Sequence, residues 1–121
     1  MDVAVIGAGA AGCVTALAFA RRGAQVLLLE AHPGASSRLA GEWLHPAGVR
    51  VLDALGLGGL ADTAHPPGRG FAVFPADEGT PIHLEYSGGA VALTCDHARL
   101  VAALREAAAA LRARIPAAEP G

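Results

Sequence analysis

The sequence has no lysine, no asparagine, two cysteines and few aromatic residues, which make up 4% of the chain. Arginine supplies all nine basic side chains against eleven acids, for a net charge of −2. That balance lacks the basic footprint a nucleic-acid partner requires. The missing lysine and asparagine, beside abundant alanine, read as a GC-rich coding sequence and not as a functional signal. Cys13 and Cys95 stand too far apart for a C-x-x-C pair. A disulfide framework or a zinc site is therefore not expected, and a reduced cytoplasmic compartment is the default. Charged residues are scarce at 17% and apolar ones frequent at 53%, which excludes a disordered chain and predicts a greasy surface for an isolated domain. No cation precedes the uncharged stretch 3–20; Asp2 stands before it and Arg21-Arg22 follow. A secretory signal needs the reverse order, and glycines at 7, 9 and 12 argue against a transmembrane segment. The length of 121 residues suits one small domain.

The residues present are most informative at the start. Val3-Ala4-Val5-Ile6 predicts a short, fully buried parallel strand. Gly7-Ala8-Gly9-Ala10-Ala11-Gly12 follows at once, then a helix over 13–22 with Val14, Leu17 and Ala18 on one side and Gly23 as its C′ glycine. Residues 25–29 form a second buried strand that Glu30 closes. This is a β-turn-α-β crossover of the right-handed kind. Residues 31–41 read as loop, 46–55 as a helix with Val49, Leu52 and Leu55 on its buried side, and 56–70 as irregular. Segments 71–74, 82–86 and 90–94 suit a small antiparallel excursion. Asp96 then caps a long helix over 97–114 whose apolar stripe is Leu100, Leu104, Ala108, Leu111 and Ile115. The fold class is α/β, a partial Rossmann-like domain over 1–115 with an unstructured tail over 116–121.

The glycine spacing carries the chemistry. Gly7 permits a tight turn, Gly9 lets backbone approach a pyrophosphate, and Gly12 lets the helix pack close to the strand. The helix N-terminus offers unpaired N–H groups and a partial charge of about +0.5. The Glu30 carboxylate can accept hydrogen bonds from ribose hydroxyls and would repel a 2′-phosphate. Together they predict a site for an ADP-containing dinucleotide, without separating FAD from NAD. Arg38 lies in the loop after the second strand, where a cation could face a phosphate. Arg99 sits in the first turn of the last helix and opposes its dipole, a locally unfavourable placement of the kind found at functional positions. Histidines 32, 45, 65, 83 and 97 show no metal-ligand spacing. Ser36-Ser37 lacks a nucleophile elbow.

Two further blocks carry a family resemblance. Arg38-Leu39-Ala40-Gly41-Glu42-Trp43-Leu44-His45-Pro46-Ala47-Gly48, with Leu52 and Leu55-Gly56-Leu57, resembles squalene epoxidases. Cys95-Asp96-His97-Ala98-Arg99-Leu100, with Leu104-Arg105-Glu106-Ala107-Ala108, resembles a second block of the same enzymes. More broadly the chain looks like the N-terminal part of the group A flavoprotein monooxygenases. The resemblance implies FAD as cofactor. Backbone at Ala10 and Ala11 would meet the pyrophosphate within the cofactor site that Gly7, Gly9 and Gly12 shape, and Glu30 and Ala31 would hold the adenosine ribose. Arg38 would lie near the flavin side, Trp43 would fill an aromatic position of that block, and Arg99 would bind FAD from the last helix. It also implies NAD(P)H as reductant, O2 as co-substrate and an apolar or aromatic substrate; no side chain here is implied as a catalytic group.

The family's Asp-Gly and Gly-Asp motifs do not occur in this sequence. Where a further strand is implied after Ile115, Pro116-Ala117-Ala118-Glu119-Pro120-Gly121 stands instead. The expectation is a truncated FAD-binding segment without a substrate domain, inactive alone. A separately encoded C-terminal half could complete it. Two alternatives stay open: another FAD- or NAD-dependent oxidoreductase, and a non-catalytic dinucleotide-binding module completed by a second chain.

Overall fold

A computed structural model describes residues 1–32, 43–60 and 65–114. The chain forms two compact units, one of Met1–Ala40 with His97–Gly121 and one of Gly41–Asp96.

In the first unit, β1 (Val3–Ile6) and β2 (Val26–Leu29) pair in parallel, from Val3 opposite Val26 to Ile6 opposite Leu29. Helix α1 (Ala10–Ala20) makes the crossover between them. It ends in a Schellman motif: the Ala24 N–H donates to Phe19 O at 3.2 Å and the Gly23 N–H to Ala20 O at 3.0 Å. Gly23 has φ +86°, which only glycine adopts without strain. The helix begins three residues before the sequence-based boundary at Cys13 and ends before Arg22. Its N-cap is Gly9, which has no side chain to mark it. Its buried positions are Cys13, Ala16 and Leu17; Leu17 is inside as expected, whereas Val14 and Ala18 are only half-buried. The close approach at Gly12 turns that i, i+3, i+4 face inward.

Helix α3 (His97–Arg114) has the expected span and packs along α1. Leu100, Val101 and Leu104 are buried, whereas Ala108 and Leu111 are half-buried. Beyond Leu104 the packing of the helix is looser. It leaves a cleft of about 240 Å³ lined by Leu17, Ala20, Val26, Leu28, Arg105 and Leu111, among others. The strands themselves differ from expectation. Neither is fully buried, and Ile6 is 87% exposed. Among the described residues of this unit, helices cover one face of the pair, so apolar side chains on the other face meet solvent. The tail 116–121 and Ile115 lie outside the described residues.

In the second unit, β3 (Trp43–Leu44) pairs antiparallel with β6 (Leu93–Thr94), and α2 (Pro46–Ala54) follows β3 directly. Its end is a second Schellman motif: the Leu57 N–H reaches Leu52 O at 2.7 Å and the Gly56 N–H reaches Asp53 O at 2.8 Å, with Gly56 at φ +60°. Leu52 and Leu57 are both buried there. A hairpin joins β4 (Gly70–Val73) to β5 (Ile82–Glu85). The segment read as the excursion's third strand pairs antiparallel just ahead of the hairpin, where Ala92 and Gly68 exchange N–H···O bonds of 2.8 and 2.9 Å, and its end, β6, pairs with β3. Gly88 and Gly89, at φ +64° and +70°, turn the chain so that β6 reaches β3. Among the described residues no helix is long and apolar enough to cross a membrane.

Candidate functional site

The candidate site is the turn between β1 and α1. Gly7 has φ +98° and its N–H donates to Leu29 O at 2.7 Å, tying the turn to the end of β2. A Cβ on Gly12 would collide with the carbonyl oxygen of Gly7. The first and third glycines are thus demanded by the polypeptide itself. Gly9 is not. Its φ of −77° and ψ of −175° suit any residue, and a Cβ built there meets nothing within 4 Å. The protein leaves open space above Gly9 that its own packing does not require.

The same turn starts α1. The Cys13 N–H is the first to donate back, to Gly9 O at 2.9 Å. No side chain caps the helix, so the N–H groups of Ala10, Ala11 and Gly12 lack intrahelical acceptors. They form a positive rim beside the open space. Ala8, between the glycines, is buried. The Cys13 thiol packs beneath it, with Sγ 3.5 Å from Ala8 O, and burial pushes that thiol above its ordinary range.

Glu30 closes β2 against this turn. Its Oε2 accepts the Ala8 N–H at 2.8 Å and its Oε1 accepts the His32 N–H at 2.8 Å. These two backbone donors, His32 foremost, hold the carboxyl below the ordinary glutamate range, and the Arg105 charge adds to them. Arg105 Nη2 lies 3.4 Å from Oε2. A carboxylate has about four acceptor positions, so an ionised Glu30 with these three partners can still take a hydroxyl.

The structure therefore brings Gly7, Gly9, Ala10, Ala11, Gly12 and Glu30 together in one cradle. Ala31 follows Glu30 and is exposed. Arg99 is exposed on the first turn of α3. Arg38 lies outside the described residues. Trp43 belongs to the second unit, where its Nε1–H donates to Tyr86 Oη at 2.9 Å and its ring lies 5.7 Å from that of Phe71. Arg105 was not singled out from the sequence. Its signal is position: it follows Val101 by one helical turn, so a cation recurs on the side of an alanine-rich helix that is otherwise buried. Among the described residues no cluster of three His, Cys, Asp or Glu side chains could hold a metal.

Comparison with known proteins follows the same lines. A family model described as FAD dependent oxidoreductase matches residues 2–65. Squalene epoxidase of Aspergillus fumigatus is 50% identical over 56 residues, covering 46% of this chain and 12% of that enzyme. Squalene epoxidase of Gibberella zeae is 40% identical over 95 residues, covering 68% of this chain and 19% of that enzyme. Among solved structures, the FAD-dependent halogenase of myxobacterial chondrochloren synthesis superposes with a TM-score of 0.77 at 28% identity. That match covers 91% of this chain and 26% of the halogenase. The chain thus spans less than a fifth of the length of these two curated relatives.

Proposed function

The chain belongs to the FAD dependent oxidoreductase family, and from that premise we propose that it is the FAD-binding segment of a flavin monooxygenase of the squalene-epoxidase kind. The observation that carries the reading is the space above Gly9, edged by three uncapped amides and faced by an ionised Glu30. An ADP moiety fits that donor and acceptor set: the amides would hold the diphosphate and Glu30, with Ala31 beside it, the adenosine ribose. Arg38, Trp43 and Arg99 join the proposal through the resemblance of their blocks to squalene epoxidases.

When bound, FAD supplies electron transfer from NAD(P)H and the activation of O2 for oxygenation of an apolar or aromatic substrate. The chain's own residues act on the cofactor's adenosine end. Gly7 and Gly12 fix the turn, Gly9 yields room, and the α1 amides neutralise charge. The carboxylate of Glu30 orients the sugar. The reading assigns cofactor binding to these 121 residues. It assigns oxygenation to an assembly in which further polypeptide, from the same or a separate chain, encloses the flavin ring.

The test is a titration of the purified chain with FAD, FMN and ADP, followed by flavin fluorescence and calorimetry. FAD and ADP should bind and compete, while FMN, which lacks the adenosine diphosphate, should not. Binding of NAD with no binding of FAD would replace this reading by a nicotinamide one.

A further inference from the structure

The glycine-rich turn is gripped at its second residue from both sides. Arg105 Nε donates to Ala8 O at 2.7 Å, while the Ala8 N–H donates to Glu30 Oε2 at 2.8 Å. Arg105 Nη2, on the same edge of the guanidinium, stands 3.4 Å from that Glu30 oxygen. Guanidinium, carbonyl, peptide N–H and carboxylate thus close a ring around one residue, Ala8, and join the end of β2, the turn and α3. The side chains of Arg105 and Glu30 are 26% and 24% exposed, so neither is free to sweep through solvent.

We propose that Arg105 is a positioning residue that presets both the Ala8 peptide plane and the Glu30 rotamer for an adenosine ribose and its diphosphate. The ligand half of this proposal rests on the FAD reading above; the clamp itself does not. A planar guanidinium offers two donors at fixed spacing, and here they meet two different acceptors. The carbonyl of Ala8 fixes where the next peptides point, and those peptides lead into Gly9 and the amide rim of α1. Without the clamp the Glu30 carboxylate loses the charged neighbour that holds its Oε2 against the Ala8 N–H, and Ala8 O loses its charged donor, so the Ala8 N–H bond opens more often. Preorganisation of this kind lowers the ordering cost a ligand must meet.

The roles separate by substitution. Arg105→Lys keeps the charge and loses the fork; Arg105→Met keeps most of the stem that lines the cleft and loses both. A residue acting by long-range charge would be rescued by lysine, and one acting by packing would tolerate methionine. The first measurement needs no ligand: amide hydrogen exchange at Ala8, by NMR, on the free chain. Both variants should raise it about tenfold or more, the scale of one charge-assisted hydrogen bond, with the helical circular dichroism unchanged. The second compares ADP with 2′,3′-dideoxyadenosine diphosphate. The parent chain should prefer ADP, and both variants should lose most of that preference. In a Glu30→Gln background Arg105→Met should change it no further.

Unchanged Ala8 exchange in both variants overturns the clamp. Raised exchange with an unchanged ribose preference overturns the preset of Glu30. A parent chain that binds neither nucleotide removes the FAD reading and the ligand half with it, while the exchange measurement still decides whether Arg105 fixes the turn.

Discussion

The hydroxyl of Tyr86 lies 2.8 Å from Nδ1 of His45. The same oxygen accepts the Trp43 indole N–H at 2.9 Å, and an indole can only donate. The His45 ring nitrogen is the second hydrogen-bond partner of the phenol. Phe71 packs against all three rings, at centroid distances of 5.7–6.0 Å. Replacing Tyr86 by Phe keeps the ring and strands the part-buried indole N–H. The expected cost is about 1–3 kcal/mol. Trp43 is the only tryptophan, so its emission during denaturant unfolding reports on this unit directly. A midpoint equal to that of the parent chain would show that the phenol contributes nothing.

Gly9→Ser separates folding from binding. The side chain enters open space, and its hydroxyl can accept an N–H of the first turn, making a better N-cap than glycine by a few tenths of a kcal/mol. Those are the N–H groups offered to a diphosphate. Thermal stability should hold or rise slightly while FAD affinity falls at least tenfold, on the order of a lost charged hydrogen bond. Gly12→Ala is the control, because its Cβ strikes the Gly7 carbonyl oxygen and the turn itself should fail. Equal losses of stability in the two variants would mean that Gly9 is a structural glycine after all.

Glu30 ties stability to acid. Its carboxyl is held below the ordinary glutamate range by the His32 and Ala8 backbone donors. A depressed folded-state value contributes stability that is fully present above the unfolded-state value and is lost as pH falls through the folded one. The parent chain should be more stable than Glu30→Gln at pH 7. The gap should close as pH drops below about 4. Urea midpoints measured from pH 3 to pH 7 give the comparison, and a gap independent of pH would contradict it.

Cys13 should be inert while the chain is folded. The residue is 0% exposed and burial raises its thiol above the ordinary range, so little thiolate exists at neutral pH and reagents cannot reach it. Iodoacetamide labelling mapped by mass spectrometry should be slow at Cys13 in buffer and fast in denaturant. Rapid native labelling there would mean that α1 opens readily from the turn.

The crossover was legible because its signals are local and covalently close. The strand–glycine–helix order, the C′ glycine at 23, the span of α3 and the role of Gly12 all follow from residue types within a few positions. Three things were not legible. A helix capped by glycine carries no side-chain mark, so α1 begins earlier than its apolar pattern. The exposure of Ile6 depends on what covers a sheet face, which composition does not encode. The partner of β6 depends on two positive-φ glycines that redirect the chain toward β3. Within the candidate site, the glycines and Glu30 were visible as a motif. Arg105 was not, because its partners Ala8 and Glu30 lie 97 and 75 residues away.

The first unit is interrupted in sequence: Met1–Ala40 must wait for His97–Gly121, whereas Gly41–Asp96 is continuous. On a ribosome that adds about 5–20 residues per second, the crossover emerges seconds before the helix that seals it. The later segment can collapse as soon as it leaves the tunnel. The glycine turn is therefore made before the inserted unit and locked after it, since Arg105 arrives only once that unit is complete. A nascent chain stalled before residue 97 would hold its glycine turn by the Gly7–Leu29 and Ala8–Glu30 bonds alone, without the guanidinium that completes the ring.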